Sequence, residues 1–244
     1  MNHGSLFSGI GGFDLASEWM GWNNVFHCEW NEFGQRVLKY YWPKAVSYGD
    51  ITQTDFTIHR GNIDILTGGF PCQGFSNSGK QLGESDDRYL FPEMLRAIRE
   101  IQPPWIVAEN VYAIASPKFA EVFEFIHTSL ETEGYKIQSF VIPATAVEGE
   151  HERYRVWFIA NSERFGFSGQ GSLLGQLQPT KIGNRETNRF INFIQRNSMP
   201  FVCSSHDGLP RRLAEQAIHG AGNAIVPQVA FEIFKAIQKF EDSL

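Results

Sequence analysis

The chain is poor in cysteine: among its 244 residues only Cys28, Cys72 and Cys203 carry a thiol. Three scattered thiols cannot build a disulfide framework, and they lack the paired spacing of a zinc centre, so no metal is expected. No apolar run approaches the roughly 20 residues needed to cross a bilayer. The start, Met1-Asn2-His3-Gly4-Ser5, has neither the basic nor the apolar block of a secretory signal. A cytoplasmic protein without membrane contact is the expectation. Basic charge is also scarce, with a net charge of −6, which speaks against a broadly cationic nucleic-acid binder. A local basic face remains open, because net charge governs steering at long range rather than contacts at a site. Residues 161–207 hold Arg164, Lys181, Arg185, Arg189 and Arg196 against Glu163, Glu186 and Asp207.

What is present is a patterned core. Hydrophobic residues make up 42% of the chain, enough to exclude wholesale disorder. Short β-rich runs occur at 5–7, 25–28, 63–66, 105–108, 136–142 and 155–160, and a further strand end is expected before Gly49-Asp50-Ile51. Between them, 33–41, 90–101 and 119–130 repeat apolar residues at helical spacing, and 227–240 reads as a terminal helix. Alternating strands and helices predict an α/β fold with a doubly wound, mostly parallel sheet, whose ligands bind beyond the carboxyl ends of the strands. The pattern divides the chain into a catalytic and cofactor-binding region, 1–160, and an irregular appendage rich in Gly, Ser, Gln and Asn, 161–207. A C-terminal segment, 208–244, then returns to the first region.

The strand ends carry the chemistry. The first runs into Phe7-Ser8-Gly9-Ile10-Gly11-Gly12-Phe13, where glycines permit a tight turn and close approach of a ligand to the next helix. The spacing differs from the dinucleotide pattern Gly-x-Gly-x-x-Gly. Glu29 closes the second strand, where an acid can accept hydrogen bonds from ribose hydroxyls. Trp30 beside it can stack on a base, and Asp50 at the next strand end can receive an exocyclic amine. Each acid alone is equally a cap or a solvated loop residue; together they point to a nucleoside-bearing cofactor. The next strand ends in Thr67-Gly68-Gly69-Phe70-Pro71-Cys72-Gln73. A lone cysteine is by default a small buried apolar residue, but one in a Gly- and Pro-punctuated loop at this edge lies where reactants bind. Glu109, in Ala108-Glu109-Asn110-Val111, has apolar neighbours that raise a carboxyl pKa and suit it to proton donation. Arg153 and Arg155 alternate on one strand and share a face, able to hold phosphate or developing negative charge.

In this order the segments resemble the bacterial and phage cytosine-5 DNA methyltransferase family. Phe7 to Phe13 is similar to its first cofactor motif, Phe70-Pro71-Cys72-Gln73 to its nucleophile motif, and Glu109-Asn110-Val111 to its acid motif. Arg153-x-Arg155 is similar to its paired-arginine strand, and Gly222-Asn223-Ala224-Ile225-Val226-Pro227 to its terminal motif. The resemblance covers nearly all of 5–160 and 208–240. It implies the Rossmann-like fold of S-adenosylmethionine-dependent methyltransferases, that cofactor, and double-stranded DNA as partner. A cognate restriction endonuclease encoded nearby would fit the same picture.

The resemblance further implies that a cytosine is flipped out of the duplex. Cys72 thiolate attacks its carbon 6 while Glu109 holds the exocyclic amine and protonates ring nitrogen 3. Carbon 5 then takes the methyl, and loss of its proton expels the cysteine. Arg155 would steady the intermediate and orient Glu109, with Arg153 nearby. The cofactor would lie on Phe7, Gly9, Ile10, Gly11, Glu29, Trp30, Asp50, Ile51, Pro71, Leu90 and Asn223. Gln73, Ser76, Lys80 and Asn110 would serve DNA. The recognition region, 161–207, is shorter than the family usually carries, and Glu152 places an acid where a basic residue is common. Two other readings accompany this one: a transfer-RNA cytosine-5 methyltransferase with a reduced recognition region, and a non-catalytic cofactor- or DNA-binding orphan. The terminal Gly-Asn-Ala-Ile-Val-Pro-Gln favours DNA over transfer RNA, and the joint presence of Cys72, Glu109, Arg153 and Arg155 argues against the orphan.

Overall fold

A computed structural model describes residues 1–71, 90–147, 153–162 and 224–243. The element order is β1 (Asn2–Leu6), α1 (Gly12–Trp19), β2 (Asn23–Cys28), α2 (Glu32–Tyr41), β3 (Val46–Tyr48), β4 (Ile65–Gly68), α3 (Phe91–Ile101) and β5 (Trp105–Val111). It continues with α4 (Ala120–Thr132), β6 (Tyr135–Pro143), β7 (Tyr154–Ser162) and α5 (Pro227–Glu241). The seven strands form one sheet in the order β3-β2-β1-β4-β5-β7-β6. β1 to β5 pair in parallel, while β7 runs antiparallel to both β5 and β6. The doubly wound, mostly parallel sheet expected from the strand–helix alternation is therefore the one observed.

Both faces of the sheet are covered, and successive strand residues feed opposite cores. Leu66, Ile106, Ala108, Val156 and Phe158 pack with α3 and α4 in one core. Ile65, Val107, Trp157 and Ile159 pack with Phe13 and Ala16 of α1 and Val229, Ile233 and Phe234 of α5 in the other. This alternation decides the fate of the strand ends: once Ala108 faces α3 and α4, Glu109 must face α1 and α5, and Asn110 the reverse.

Element ends depart from the sequence reading where long-range pairing decides them. β1 stops at Leu6 because Phe7 takes a left-handed backbone, φ 51°. β4 spans Ile65–Gly68 rather than 63–66, since its ladder to β1 starts at His3 opposite Ile65, and the Asp64 carboxylate accepts from the Asn2 amide at 2.6 Å just outside it. α4 begins at Ala120 because Pro117 first opens a short 3-10 turn. The segments 163–223 and 72–89 lie outside the described residues, so the appendage at 161–207 is described only at Asn161 and Ser162.

Candidate functional site

The turn after β1 is a strained, closed loop. Phe7, Gly9 and Gly11 all take positive φ (51°, 57° and 87°), which glycine accepts freely and phenylalanine does not. The Ser8 amide donates to the Cys28 carbonyl at 3.1 Å and the Gly11 amide to the Ser8 carbonyl at 2.9 Å. Glu29 reaches across from β2, its Oε2 accepting from the Gly9 amide at 2.6 Å and its Oε1 from the Asn31 amide at 2.7 Å. Gly34 is needed at the crossing, because a Cβ there would lie 2.5 Å from the Gly9 carbonyl oxygen. α1 then starts with no side-chain cap, which leaves its N-terminal dipole for a ligand.

These features fit a nucleoside cofactor. Each Glu29 oxygen is engaged once by the backbone and keeps a second lone pair for a ribose hydroxyl. Trp30 is 81% exposed, an open ring face next to that carboxylate. Asp50 caps the short turn Ile51–Gln53, with Oδ1 accepting from the Thr52 amide and hydroxyl at 2.9 and 2.8 Å. Ile51 is buried beneath it, Ile10 lies half-buried in the first turn, and Pro71 and Leu90 are half-buried at the two borders of the undescribed segment between them. Asp50 thus acts as both cap and candidate ligand, while Glu29 braces the Gly9 and Asn31 amides and remains a candidate ligand.

Glu109 sits at the end of β5, 8% exposed, facing the α1 and α5 side. Its Oε1 meets Arg155 Nε at 2.8 Å, and Arg155 Nη1 also donates to the Tyr154 carbonyl at 2.9 Å. Burial pushes the Glu109 carboxyl up to about 7, against the opposing pull of the Arg155 and Arg153 guanidiniums. Gly69 backs the acid: a Cβ at that position would stand 3.5 Å from Glu109 Oε2 and 3.1 Å from Ile225 Cδ1.

Asn110, 2% exposed, turns to the other face. Its Nδ2 donates to the Phe70 carbonyl at 3.1 Å while its Oδ1 accepts from the Val111 amide at 2.8 Å. Asn110 therefore hooks the chain just before Pro71 and Cys72 onto β5. This gives it a positioning role in place of the DNA contact expected for it from the resemblance, since both ends of its amide are engaged with backbone. Arg153 also holds backbone, its Nη2 donating to the Ala224 carbonyl at 2.9 Å. Arg153 and Arg155 are thus divided: one toward the entry to α5, the other toward Glu109. Next to Ala224, Ile225 seats on the turn after β1, since a Cβ at Gly12 would fall 2.7 Å from the Ile225 carbonyl oxygen and 2.8 Å from its Cβ.

Cys28 is removed from the candidate nucleophiles. Its buried thiol donates to the Gly49 carbonyl at 3.3 Å, and burial, with the charges of Glu29 and Asp50, pushes its pKa up to about 12. A thiol so protonated is inert. Cys72, Gln73, Ser76, Lys80 and Asn223 lie outside the described residues. Among the described residues no cluster of His, Cys, Asp and Glu could hold a metal ion, and no helix is long and apolar enough to cross a membrane.

Comparison with known proteins bears directly on this arrangement. Residues 1–200 match the family model of the C-5 cytosine-specific DNA methylase. The type II methyltransferase M.PspPI of Psychrobacter sp. (strain TA137) is 43% identical over 134 residues, covering 54% of this chain and 32% of that protein. The type II methyltransferase M.HhaI of Haemophilus parahaemolyticus is 36% identical over 156 residues, covering 63% and 47%. The chain is thus matched to between about a third and a half of the length of these curated relatives. Among solved structures, the Entamoeba histolytica methyltransferase EhMeth superposes with a TM-score of 0.65 at 17% identity, over 100% of this chain and 99% of that one, a likeness of fold.

Proposed function

The chain belongs to the C-5 cytosine-specific DNA methylase family, and from that premise we propose that it methylates carbon 5 of a flipped-out cytosine in double-stranded DNA. The observation that carries the reading is Glu109: a buried carboxyl held near a pKa of 7, pinned by Arg155, at the carboxyl end of a central strand. A carboxyl tuned to neutrality can donate a proton to a ring nitrogen and take it back, which an ordinary surface glutamate cannot do efficiently at that pH.

S-adenosylmethionine, when bound, supplies an electrophilic methyl group. The cradle for it is the Phe7–Gly11 turn, Glu29, Trp30 and the Asp50–Ile51 turn, with Pro71, Leu90 and Asn223 completing it. Cytosine carbon 5 is a poor nucleophile until carbon 6 carries an added group, and Cys72 provides that group as a thiolate. Glu109 lowers the barrier by protonating nitrogen 3 and holding the exocyclic amine. Arg155, fixed at Nε and Nη1, keeps Glu109 in place and faces the charge that develops on the ring. After methylation, loss of the carbon 5 proton restores the double bond and expels Cys72. Asn110 fixes the Phe70 carbonyl and so anchors the chain two residues before Cys72. Gln73, Ser76 and Lys80 serve DNA from the segment that follows. Target choice falls to residues 161–207, and a partner endonuclease would belong to a restriction–modification role.

The test supplies labelled S-adenosylmethionine with duplex DNA or bulk transfer RNA, and maps the product by bisulfite sequencing of a host expressing the chain. Methyl transfer to cytosine in duplex DNA is expected. Transfer to transfer RNA alone would replace the substrate, and transfer to neither would reject the catalytic reading.

A further inference from the structure

Between β3 and β4 the chain makes the short turn Ile51–Gln53, capped by Asp50. The turn is bound by helix α3. Arg96 Nη2 donates to the Ile51 carbonyl at 2.6 Å and Nη1 to the Thr54 carbonyl at 3.1 Å. Glu100 Oε2 accepts from the Phe56 amide at 2.8 Å. Arg96 is itself aimed by acids on its own helix, Nε by Glu93 Oε2 at 2.8 Å and Nη1 by Glu100 Oε1 at 2.6 Å. Its guanidinium stands 5.9 Å from the centre of the Phe56 ring. One side chain therefore grips carbonyls on both sides of the turn, with its own orientation fixed by neighbours one helical turn away in each direction.

Stability alone is a weak account of this device. Arg96, Glu93 and Glu100 are only partly buried, with 31%, 30% and 20% of their side-chain surface exposed, so solvent still screens their ion pairs in part. Position is the stronger account. The peptide that Arg96 holds follows directly on Asp50, whose carboxylate is set by the Thr52 amide and hydroxyl and whose carbonyl accepts from Thr54 Oγ1 at 2.8 Å. Moving Ile51 and Thr54 moves the carboxylate. The same helix begins at Phe91, immediately after Leu90, so its first turn and its middle bear on the same binding region.

We propose that Arg96 is a positioning residue for cofactor recognition: by clamping the Ile51 and Thr54 carbonyls it sets the Asp50 carboxylate where an adenine exocyclic amine is received. This rests on the reading of Asp50 as a cofactor contact. Arg96 touches no cofactor atom itself; it makes the chain selective for a 6-amino purine through the shape of the turn. A site built to accept a hydrogen from such an amine discriminates against the analogue that lacks it.

The experiment measures equilibrium binding of S-adenosylhomocysteine and of S-inosylhomocysteine, which lacks the amine, to the full chain by calorimetry. Wild type is expected to prefer the adenine compound. Arg96→Gln is expected to weaken adenine binding about ten-fold, the factor given by roughly 1.4 kcal/mol, and to leave inosine binding nearly unchanged, so that the preference collapses. Arg96→Lys, which can hold one carbonyl, should recover part of it. In turnover the same loss should raise KM for S-adenosylmethionine with kcat held. If Arg96→Gln does not fold, Arg96→Lys and Glu93→Gln, which loosens the aim of the guanidinium, carry the comparison. An Arg96 variant that keeps full preference, while Asp50→Ala loses it, overturns the proposal alone. An Asp50→Ala variant that keeps the preference rejects the underlying reading of Asp50, and the proposal with it.

Discussion

Glu109 and Arg155 meet through one 2.8 Å contact, Oε1 to Nε, made diagonally across β5 and β7. The register that permits it sets Glu109 opposite Trp157 and Arg155 opposite Val111, so both side chains rise from the same face two positions apart. Burial raises the acid and the two arginines restrain it, which leaves the carboxyl near neutrality rather than fully charged or fully neutral.

Removing the proton while keeping the shape should separate chemistry from binding. Glu109→Gln is expected to lower methyl transfer by about 10²- to 10⁴-fold, the usual worth of a positioned general acid. Binding of S-adenosylhomocysteine should stay within about two-fold. Arg155→Met should act through the same acid: with the largest restraining charge gone, the Glu109 carboxyl should titrate above 7 in a carbon-13 spectrum. A titration that stays put or moves down would show that Arg155 does not hold Glu109 in solution.

Asn110 has two jobs that one substitution can split. Asn110→Asp keeps the acceptor for the Val111 amide but loses the donor to the Phe70 carbonyl. It should cost about 1–3 kcal/mol of stability, because a buried carbonyl loses its partner and a charge is introduced. Thiol delivery should suffer as well, seen as a lower kcat with cofactor binding intact. Equal kcat in the variant would reject the hook.

Asp14 gives a pH signature independent of the active site. It is fully buried in the first turn of α1, neither oxygen has a well-formed hydrogen bond, and burial pushes its carboxyl up to about 7, only partly offset by the nearby Ser5 hydroxyl. In the unfolded chain the group ionises near 3.8, so between about 4 and 7 the folded chain holds a proton that the unfolded chain has released. This contribution to stability is therefore intact below pH 3.8 and is lost as the pH rises through 7, at about 1.4 kcal/mol per pH unit. Asp14→Asn has no such slope. Its melting temperature should gain on wild type as the pH rises from 4 to 7 and hold that lead above; a constant difference would contradict the buried, unpaired carboxyl.

The seam between the turn after β1 and the entry to α5 should tolerate no added carbon. A Cβ at Gly12 would meet the Ile225 carbonyl oxygen at 2.7 Å, a backbone atom that cannot swing away as a side-chain tip can. Gly12→Ala should cost about 1–3 kcal/mol, in the range of overpacked cores, measured by thermal or urea unfolding. Arg153→Met, which releases the Ala224 carbonyl, should loosen the same seam and raise hydrogen exchange in the first turn of α5.

Strand–helix alternation made the doubly wound sheet legible in the sequence, and the strand-end rule located Glu29, Asp50 and Glu109, because each depends on local pattern. What local pattern does not hold is pairing over distance. That Glu29 closes the turn at Gly9 depends on how β1 and β2 lie together. That Asn110 holds Phe70 while Glu109 faces the opposite core follows from the pleat only once the sheet order is known. The separate duties of Arg153 and Arg155 arise from what packs over their shared face: the Ala224 segment above one and Glu109 beside the other. Arg96 carried only a faint sequence signal: an arginine between glutamates on a helix reads as a solvated surface, though its acids lie three residues before and four after, on one helical face.

The proposed mechanism has Cys72 attack cytosine with Glu109 as its acid. It is tested most directly by trapping on duplex DNA that carries 5-fluorocytosine, with S-adenosylmethionine present. Fluorine at carbon 5 cannot leave as a proton does, so the covalent bond at carbon 6 should persist and be seen by mass spectrometry. Wild type and Cys28→Ala should both form the adduct, and Cys72→Ala should form none. No adduct with wild type, or an adduct that survives Cys72→Ala, would contradict the account.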